Sequence, residues 1–125
     1  MINFELFDKI AEVKKYYSGT KYDHLIPALE VCLKFSEYAE AEKVLNKFPT
    51  KAFLLDEMVE KLKGKSVYKS LKRISENKIT NNSEMLKGLF SLGTHISIEV
   101  GKGNKEYSIL YPLVYEKIGK ILYRS

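Results

Sequence analysis

The chain has 125 residues and a net charge of +5, and its 45% hydrophobic and 30% charged residues are typical of one soluble globular domain. Charged side chains interrupt every apolar run before it reaches the roughly 20 residues that a membrane helix needs, and the N-terminal residues lack the basic start and apolar core of a secretion signal. The single cysteine, Cys32, has no partner for an internal disulfide, which favours a cytoplasmic protein. Together these observations predict one domain over residues 1–125. They exclude a membrane protein, a secreted disulfide scaffold and a large multi-site enzyme.

Helical spacing dominates the first half of the chain. Apolar residues recur every three or four positions over residues 4–17, and Gly19 ends this first predicted helix. Asp23 is a candidate N-cap for a second helix, whose first turn accommodates Pro27 because the missing N–H would be unpaired there anyway. The second helix is apolar nearly all round, which predicts a central, well-buried position, and residues 36–47 continue it after a bend.

The second half of the chain contains four more predicted helices. Thr50 and Ser66 are candidate N-caps for helices over residues 51–62 and 66–77, and Gly64 separates the two. Two further helices span residues 83–93 and a final stretch that ends at residue 123. Only two short segments suit strands, at residues 95–100 and 107–110. The predicted fold is an all-α bundle of five or six helices with a short irregular loop or small hairpin near residues 96–109.

Charge is distributed unevenly along the chain. Residues 1–62 have a net charge of −2, whereas residues 63–125 have a net charge of +7. Glu76 is the only acidic residue in the densest basic segment, which contains Lys61, Lys63, Lys65, Lys69, Lys72, Arg73 and Lys78. Such a segment attracts polyanions, and a nucleic-acid backbone is the first candidate. A solvated helix face in a lysine-rich protein is the alternative.

The same segment also resembles a helix-turn-helix. Residues 54–64 would form its first helix, and residues 66–77 would form a DNA-recognition helix. Its N-terminal end carries polar side chains of the kind that reach base edges, namely Lys65, Ser66, Lys69 and Ser70. A winged version would use residues 98–109 as a hairpin wing.

The C-terminal third carries a pattern that resembles HEPN-like domains. The matching features are Asn81-Asn82, then Leu86, Leu89 and Phe90, then the run from Ser91 to His95, an acid at Glu99 and a terminal amphipathic helix ending at Ile121-Leu122. This match covers about 45 of the 125 residues. The resemblance implies an all-α domain of a toxin–antitoxin, abortive-infection or CRISPR-linked system.

The resemblance also implies a chemistry. Active HEPN ribonucleases are metal-independent and usually dimeric. They carry an Arg, then four to six residues, then a His that transfers protons when the ribose 2′-OH attacks phosphorus. His95 matches that histidine, but no Arg lies just before it: the nearest Arg upstream is Arg73, and the nearest cation is Lys87. On this hypothesis His95 transfers the proton, and Arg73 or Lys87 stabilises the phosphate charge. The RNA strand would be held by Lys65, Lys69 and Lys72.

Several alternatives stay open. In a noncatalytic HEPN-like module, His95 would be a structural histidine at a helix end, and the domain would form a homodimer or hold a cognate antitoxin or another protein. Tyr107, Tyr111 and Tyr115 follow one another at i+4 spacing, which suits base stacking but is more typical of a half-buried contact surface. No cofactor or metal site is expected, because the few His and Cys residues lack zinc-ligand spacing.

Overall fold

The computed structural model describes residues 4–78 and 81–123, and these residues form seven α-helices. They are α1 (Phe4–Tyr17), α2 (Ile26–Lys34), α3 (Tyr38–Leu45), α4 (Lys51–Lys61), α5 (Tyr68–Ser75), α6 (Asn82–Gly101) and α7 (Tyr111–Tyr123). Short 3-10 helices at Asp23–Leu25 and Lys105–Leu110 precede α2 and α7. The all-α prediction is confirmed. The predicted count of five or six helices is wrong, because Ser36 adopts a positive φ of 57° and separates α2 from α3.

The region around residues 96–109 is helical, and the predicted hairpin there is wrong. Helix α6 runs on to Gly101, and a 3-10 helix begins at Lys105, so neither described range contains a strand. Leu92, Ile96 and Glu99 are buried at i, i+4 and i+7, which is helical periodicity. A short apolar run is compatible with either a strand or a buried helix. The burial of one side of residues 92–99 shows that this segment is helical. Residues 98–109 therefore do not form the hairpin wing that the winged helix-turn-helix hypothesis requires.

The first of two compact units comprises Met1–Pro49 and Gly103–Glu106. Its described part is built on α1, α2 and α3, with a core of Leu6, Ile10, Tyr17, Ile26, Leu29, Ala41 and Phe48. Pro27 lies in the first turn of α2 as predicted, whereas Asp23 begins a 3-10 helix instead of capping α2. Within α2 only Ile26 and Leu29 are buried and Val31 is 55% exposed, so the predicted central, well-buried position of this helix is wrong.

The second compact unit comprises Thr50–Lys102 and Tyr107–Ser125. Thr50 caps α4 as predicted, because its Oγ1 accepts a hydrogen bond of 3.1 Å from the Phe53 N–H. Gly64 follows this helix with a φ of +91°, which a glycine adopts without steric cost. No side chain caps α5, and Asn81 rather than Ser83 caps α6. The prediction of a single domain over residues 1–125 stays a prediction.

Close packing of α5 on α6 occurs at Gly88. A Cβ at this position would lie 2.7 Å from Cδ1 of Ile74 and 3.5 Å from Cδ2 of Leu71. Both of those side chains are buried, and they form the apolar side of α5. The missing side chain therefore lets α5 approach α6, which turns the basic side of α5 toward solvent.

Replacing Gly88 with Val should lower the free energy of unfolding by about 1–3 kcal/mol, because the added branches overpack the α5–α6 contact. The matched control is Gly119→Val on α7, where no atom lies within 4 Å of an added Cβ. We expect that variant to differ from the wild type by less than about 0.5 kcal/mol. Urea unfolding followed by circular dichroism measures both, and equal losses would contradict close packing at Gly88.

Candidate nucleic-acid interface

Helix α5 carries an exposed row of cations because its apolar side packs on α6. Lys69 and Arg73 are four residues apart and so lie on the same side of the helix. Lys72 is exposed, with its Nζ 5.9 Å from the centroid of the Tyr68 ring. These positions follow directly from the burial of the opposite side of α5.

Helix α6 contributes a parallel row of polar side chains. Lys87, Ser91 and His95 follow at intervals of four residues and therefore share one side of the helix. Lys87 is exposed, whereas Ser91 and His95 are partly buried. We use the name "basic face" for the four exposed lysines Lys65, Lys69, Lys72 and Lys87.

A cavity of about 250 Å³ lies where the segment after α4 meets α6. Its polar lining consists of Lys65, Ser91, Thr94 and His95, and its apolar lining includes Leu62. Thr94 Oγ1 donates a hydrogen bond of 3.0 Å to the Phe90 carbonyl of its own helix. The Thr94 hydroxyl proton is therefore already used, and the groups in the cavity that suit a phosphodiester are the Lys65 ammonium group, the Ser91 hydroxyl and the His95 imidazole.

The imidazole of His95 is held next to a carboxylate. Its side chain is 13% exposed, and its Nε2 lies 3.9 Å from Oε1 of Glu99. This Nε2 is buried and has no hydrogen-bond partner within the described ranges. Burial lowers the pKa of His95 below its usual value of 6.5; Glu99 opposes the shift, and Lys65, Lys61 and Lys102 add to it. His95 is therefore neutral at pH 7.

Glu99 is itself a buried carboxylate that is paired with two lysines. It is 5% exposed, and its Oε2 lies 3.5 Å from Nζ of Lys61 while its Oε1 lies 3.9 Å from Nζ of Lys102. The same Lys61 Nζ donates a hydrogen bond of 3.1 Å to the Tyr107 hydroxyl and lies 4.7 Å from the centroid of that ring. A buried carboxylate needs such partners, because an unpaired one would shift its pKa or destabilise the fold.

The structure brings together only part of the predicted site. Lys65 and His95 line one cavity, but Arg73 lies 3.3 Å from Glu84, close to the start of α6. Glu84 precedes His95 by eleven residues, which at 1.5 Å per residue is about 16 Å along the helix axis. The nearest cation in the His95 cavity is thus Lys65 rather than Arg73. Lys87 lies on the His95 side of α6, about two turns earlier.

Two features of the site were absent from the sequence predictions. Glu99 was noted only as an acid in the motif, although its i+4 spacing from His95 is the signal that indicates a contact on a helix. The partnership of Lys61 with Glu99 joins residues 38 positions apart, so no local pattern could reveal it. The expectation of a histidine at a helix end is wrong, since α6 continues for six residues beyond His95.

Neither a metal cluster nor a membrane-spanning helix occurs in the part of the chain that the structure describes. No group of three or more His, Cys, Asp or Glu side chains there could hold a metal ion, and no helix there is long and apolar enough to cross a bilayer. The chain matches no protein-family model, no curated protein and no solved structure. The HEPN resemblance therefore rests on the sequence motif alone.

The pKa of His95 gives a direct test of this geometry. We expect an NMR titration of the His95 ring to give a pKa below 6.5, with His24→Gln used to remove the second histidine signal. Lys65→Gln and Lys102→Gln should each raise this pKa, because each removes a positive charge, whereas Glu99→Gln should lower it further.

The lowered pKa of His95 also predicts how the stability of the protein changes with pH. The unfolded chain binds the His95 proton more readily than the folded one, so stability is full above pH 6.5 and declines as the pH falls toward the folded pKa. Urea unfolding of the wild type and of His95→Gln over this pH range measures that decline. A His95 pKa at or above 6.5 in the folded protein would contradict the described burial.

Proposed function

We propose that this chain is a HEPN-like domain of an antiviral defence or toxin-type system that binds RNA through the basic face. The observation that carries the proposal is the cavity that Lys65 and His95 share with the hydroxyls of Ser91 and Thr94. Ammonium and hydroxyl groups are common donors to phosphate oxygens. The other three lysines of the basic face are exposed on α5 and α6 and would bind further phosphates of the RNA strand.

The charge balance supports a polyanionic ligand. Residues 63–125 have a net charge of +7, and two of their acidic side chains, Glu84 and Glu99, are already paired with cations. Glu84 pairs with Arg73 and accepts a hydrogen bond of 3.0 Å from Ser70, and Glu99 is buried among cations. Lys65 and Lys69 therefore face solvent with little local neutralisation, which favours phosphate binding.

Metal-independent cleavage of the bound RNA is a second candidate function. A neutral His95 can accept the proton of a ribose 2′-OH as that oxygen attacks phosphorus, and the bond from phosphorus to the 5′-oxygen then breaks. The leaving 5′-oxygen takes up a proton from the imidazolium or from water. Glu99 would stabilise the imidazolium, and Lys65, in place of Arg73, would stabilise the phosphate charge.

The two competing hypotheses have weaker support. DNA reading by residues 66–77 would require Ser70 to be free for base contacts, but its hydroxyl donates a hydrogen bond to Glu84. A noncatalytic module that forms a homodimer or holds a cognate antitoxin is favoured by one observation, the dense pairing around Glu99. In that case the His95 cavity would stabilise the fold rather than bind a ligand.

RNA binding should depend on the exposed lysines of α5. Lys69→Glu combined with Lys72→Glu should weaken RNA binding by roughly tenfold or more and reduce the slope of log K against log salt by about 1.4, because two phosphate contacts are lost. Lys43→Glu combined with Lys47→Glu is the matched control, with the same charge change on exposed positions of the first unit. Fluorescence anisotropy over a salt series measures both, and equal affinities for the two double variants would reject the basic face.

Cleavage should depend on His95. We expect wild-type protein to cleave RNA equally well with and without EDTA, and we expect His95→Ala to abolish cleavage while retaining its circular dichroism spectrum. His24→Ala is the matched histidine control, because His24 is exposed and its Nδ1 contacts only a backbone carbonyl, that of Lys21 at 2.9 Å. Equal cleavage by the His95 variant and the wild type would reject the catalytic role. Binding by a wild type that does not cleave would leave the binding proposal in place.

A further inference from the structure

A second cavity lies beside the His95 cavity, between α6 and α7. Its volume is about 170 Å³, and its lining includes Phe90, Gly93, Thr94, Ser97, Tyr115 and Ile118. Thr94 lines both cavities, so the two adjoin at this residue. One side of Thr94 thus has the imidazole and ammonium groups, and the other side has exposed aromatic rings.

The rings of this second cavity are presented to solvent. Phe90 is 54% exposed and Tyr115 is 62% exposed, although large aromatic side chains normally bury most of their surface. Tyr115 also stacks on Tyr111, with ring centroids 5.8 Å apart and an interplanar angle of 13°. The Tyr111 hydroxyl donates a hydrogen bond of 2.9 Å to Ser97 Oγ, which fixes the inner ring of the pair. Tyr115 is therefore the outer ring of a supported two-ring stack.

We propose that this cavity is a stacking subsite for one unpaired base of an RNA strand whose phosphate occupies the Lys65–His95 cavity. The inference rests on the proposed RNA-binding function and adds to it a place for the base and a preference for single strands. The base would extend the stack of Tyr111 and Tyr115, with Phe90 at its edge. Base–aromatic stacking tolerates any sequence, because every base has a π-face.

The dimensions of the cavity favour a single planar base as its occupant. Its volume of about 170 Å³ is well below the roughly 300–1,000 Å³ of pockets for drug-sized ligands. Bases in a duplex are already stacked on their neighbours and present only their edges, whereas unpaired bases can stack on aromatic side chains. In the Lys65–His95 cavity on the other side of Thr94, the Lys65 ammonium group would attract the phosphate next to this base.

The decisive comparison is between Tyr115→Leu and Tyr115→Phe. Leucine keeps apolar contacts but removes the flat ring, so Tyr115→Leu should weaken binding of a fluorescein-labelled single-stranded RNA by roughly tenfold or more. Tyr115→Phe should bind like the wild type, because it keeps the ring. The salt slope should be unchanged in both variants, since no phosphate contact is lost. Tyr123→Leu is the matched control, an 86% exposed tyrosine on the same helix.

Strand preference is measured with the same RNA annealed to its complement. The wild type should bind the single strand more tightly than the duplex, and Tyr115→Leu should remove most of that difference. Phe90→Leu provides a second variant at the other side of the cavity, so the test does not depend on the folding of one protein. Circular dichroism and light scattering establish the fold and the mass of each variant.

The possible failures are distinguishable. If Lys69→Glu with Lys72→Glu weakens binding but Tyr115→Leu does not, the stacking subsite is rejected and the RNA-binding proposal stands. If the wild type binds no RNA, both are rejected. If Tyr115→Leu halves the particle mass without changing RNA affinity, the aromatic surface is a contact between two copies of the chain, and the subsite is rejected.

Discussion

The burial of the Glu99 carboxylate is the constraint on which the candidate site depends. A carboxylate in the interior needs compensating partners, and Glu99 has Lys61 at 3.5 Å and Lys102 at 3.9 Å. Through Lys61, the cluster connects α4 to α6 and extends to the Tyr107 hydroxyl. His95 lies beside this cluster, with its buried Nε2 3.9 Å from Glu99 and without a hydrogen-bond partner in the described residues. Burial lowers the pKa of the ring, Glu99 opposes that shift, and the nearby lysines add to it.

Ion pairs with glutamates also decide which of the positive charges in the sequence can contact a ligand. Among the basic residues of the segment 61–78, Lys61 is engaged with Glu99 and Arg73 with Glu84. Lys65, Lys69 and Lys72 of this segment are exposed, and Lys65 also lines the His95 cavity. Lysine offers a point charge rather than a planar fork, which suits one phosphate oxygen at a time.

Some features that depend on neighbouring residues were predicted correctly from the sequence, although the N-caps expected at Asp23, Ser66 and Ser83 are not the observed ones. Thr50 as an N-cap, Gly64 as a helix end and Pro27 in a first turn are local effects of one side chain on the adjacent backbone. Residues 95–100 were a candidate strand because a short apolar run suits both a strand and a buried helix. The burial of Ile96 and Glu99 against other helices decided the outcome, and no local pattern contains that information.

The sequence by itself determined the helical class, most helix starts and ends, and the concentration of positive charge in the second half, because capping, periodicity and composition act over a few residues. Only the tertiary structure decided which charges are neutralised and which side chains share a cavity. The contacts of Lys61 with Glu99 and of Arg73 with Glu84 join residues 38 and 11 positions apart. Such pairings depend on how helices pack, and Gly88 contributes to the packing of α5 on α6 by leaving room for the side chains of Ile74 and Leu71.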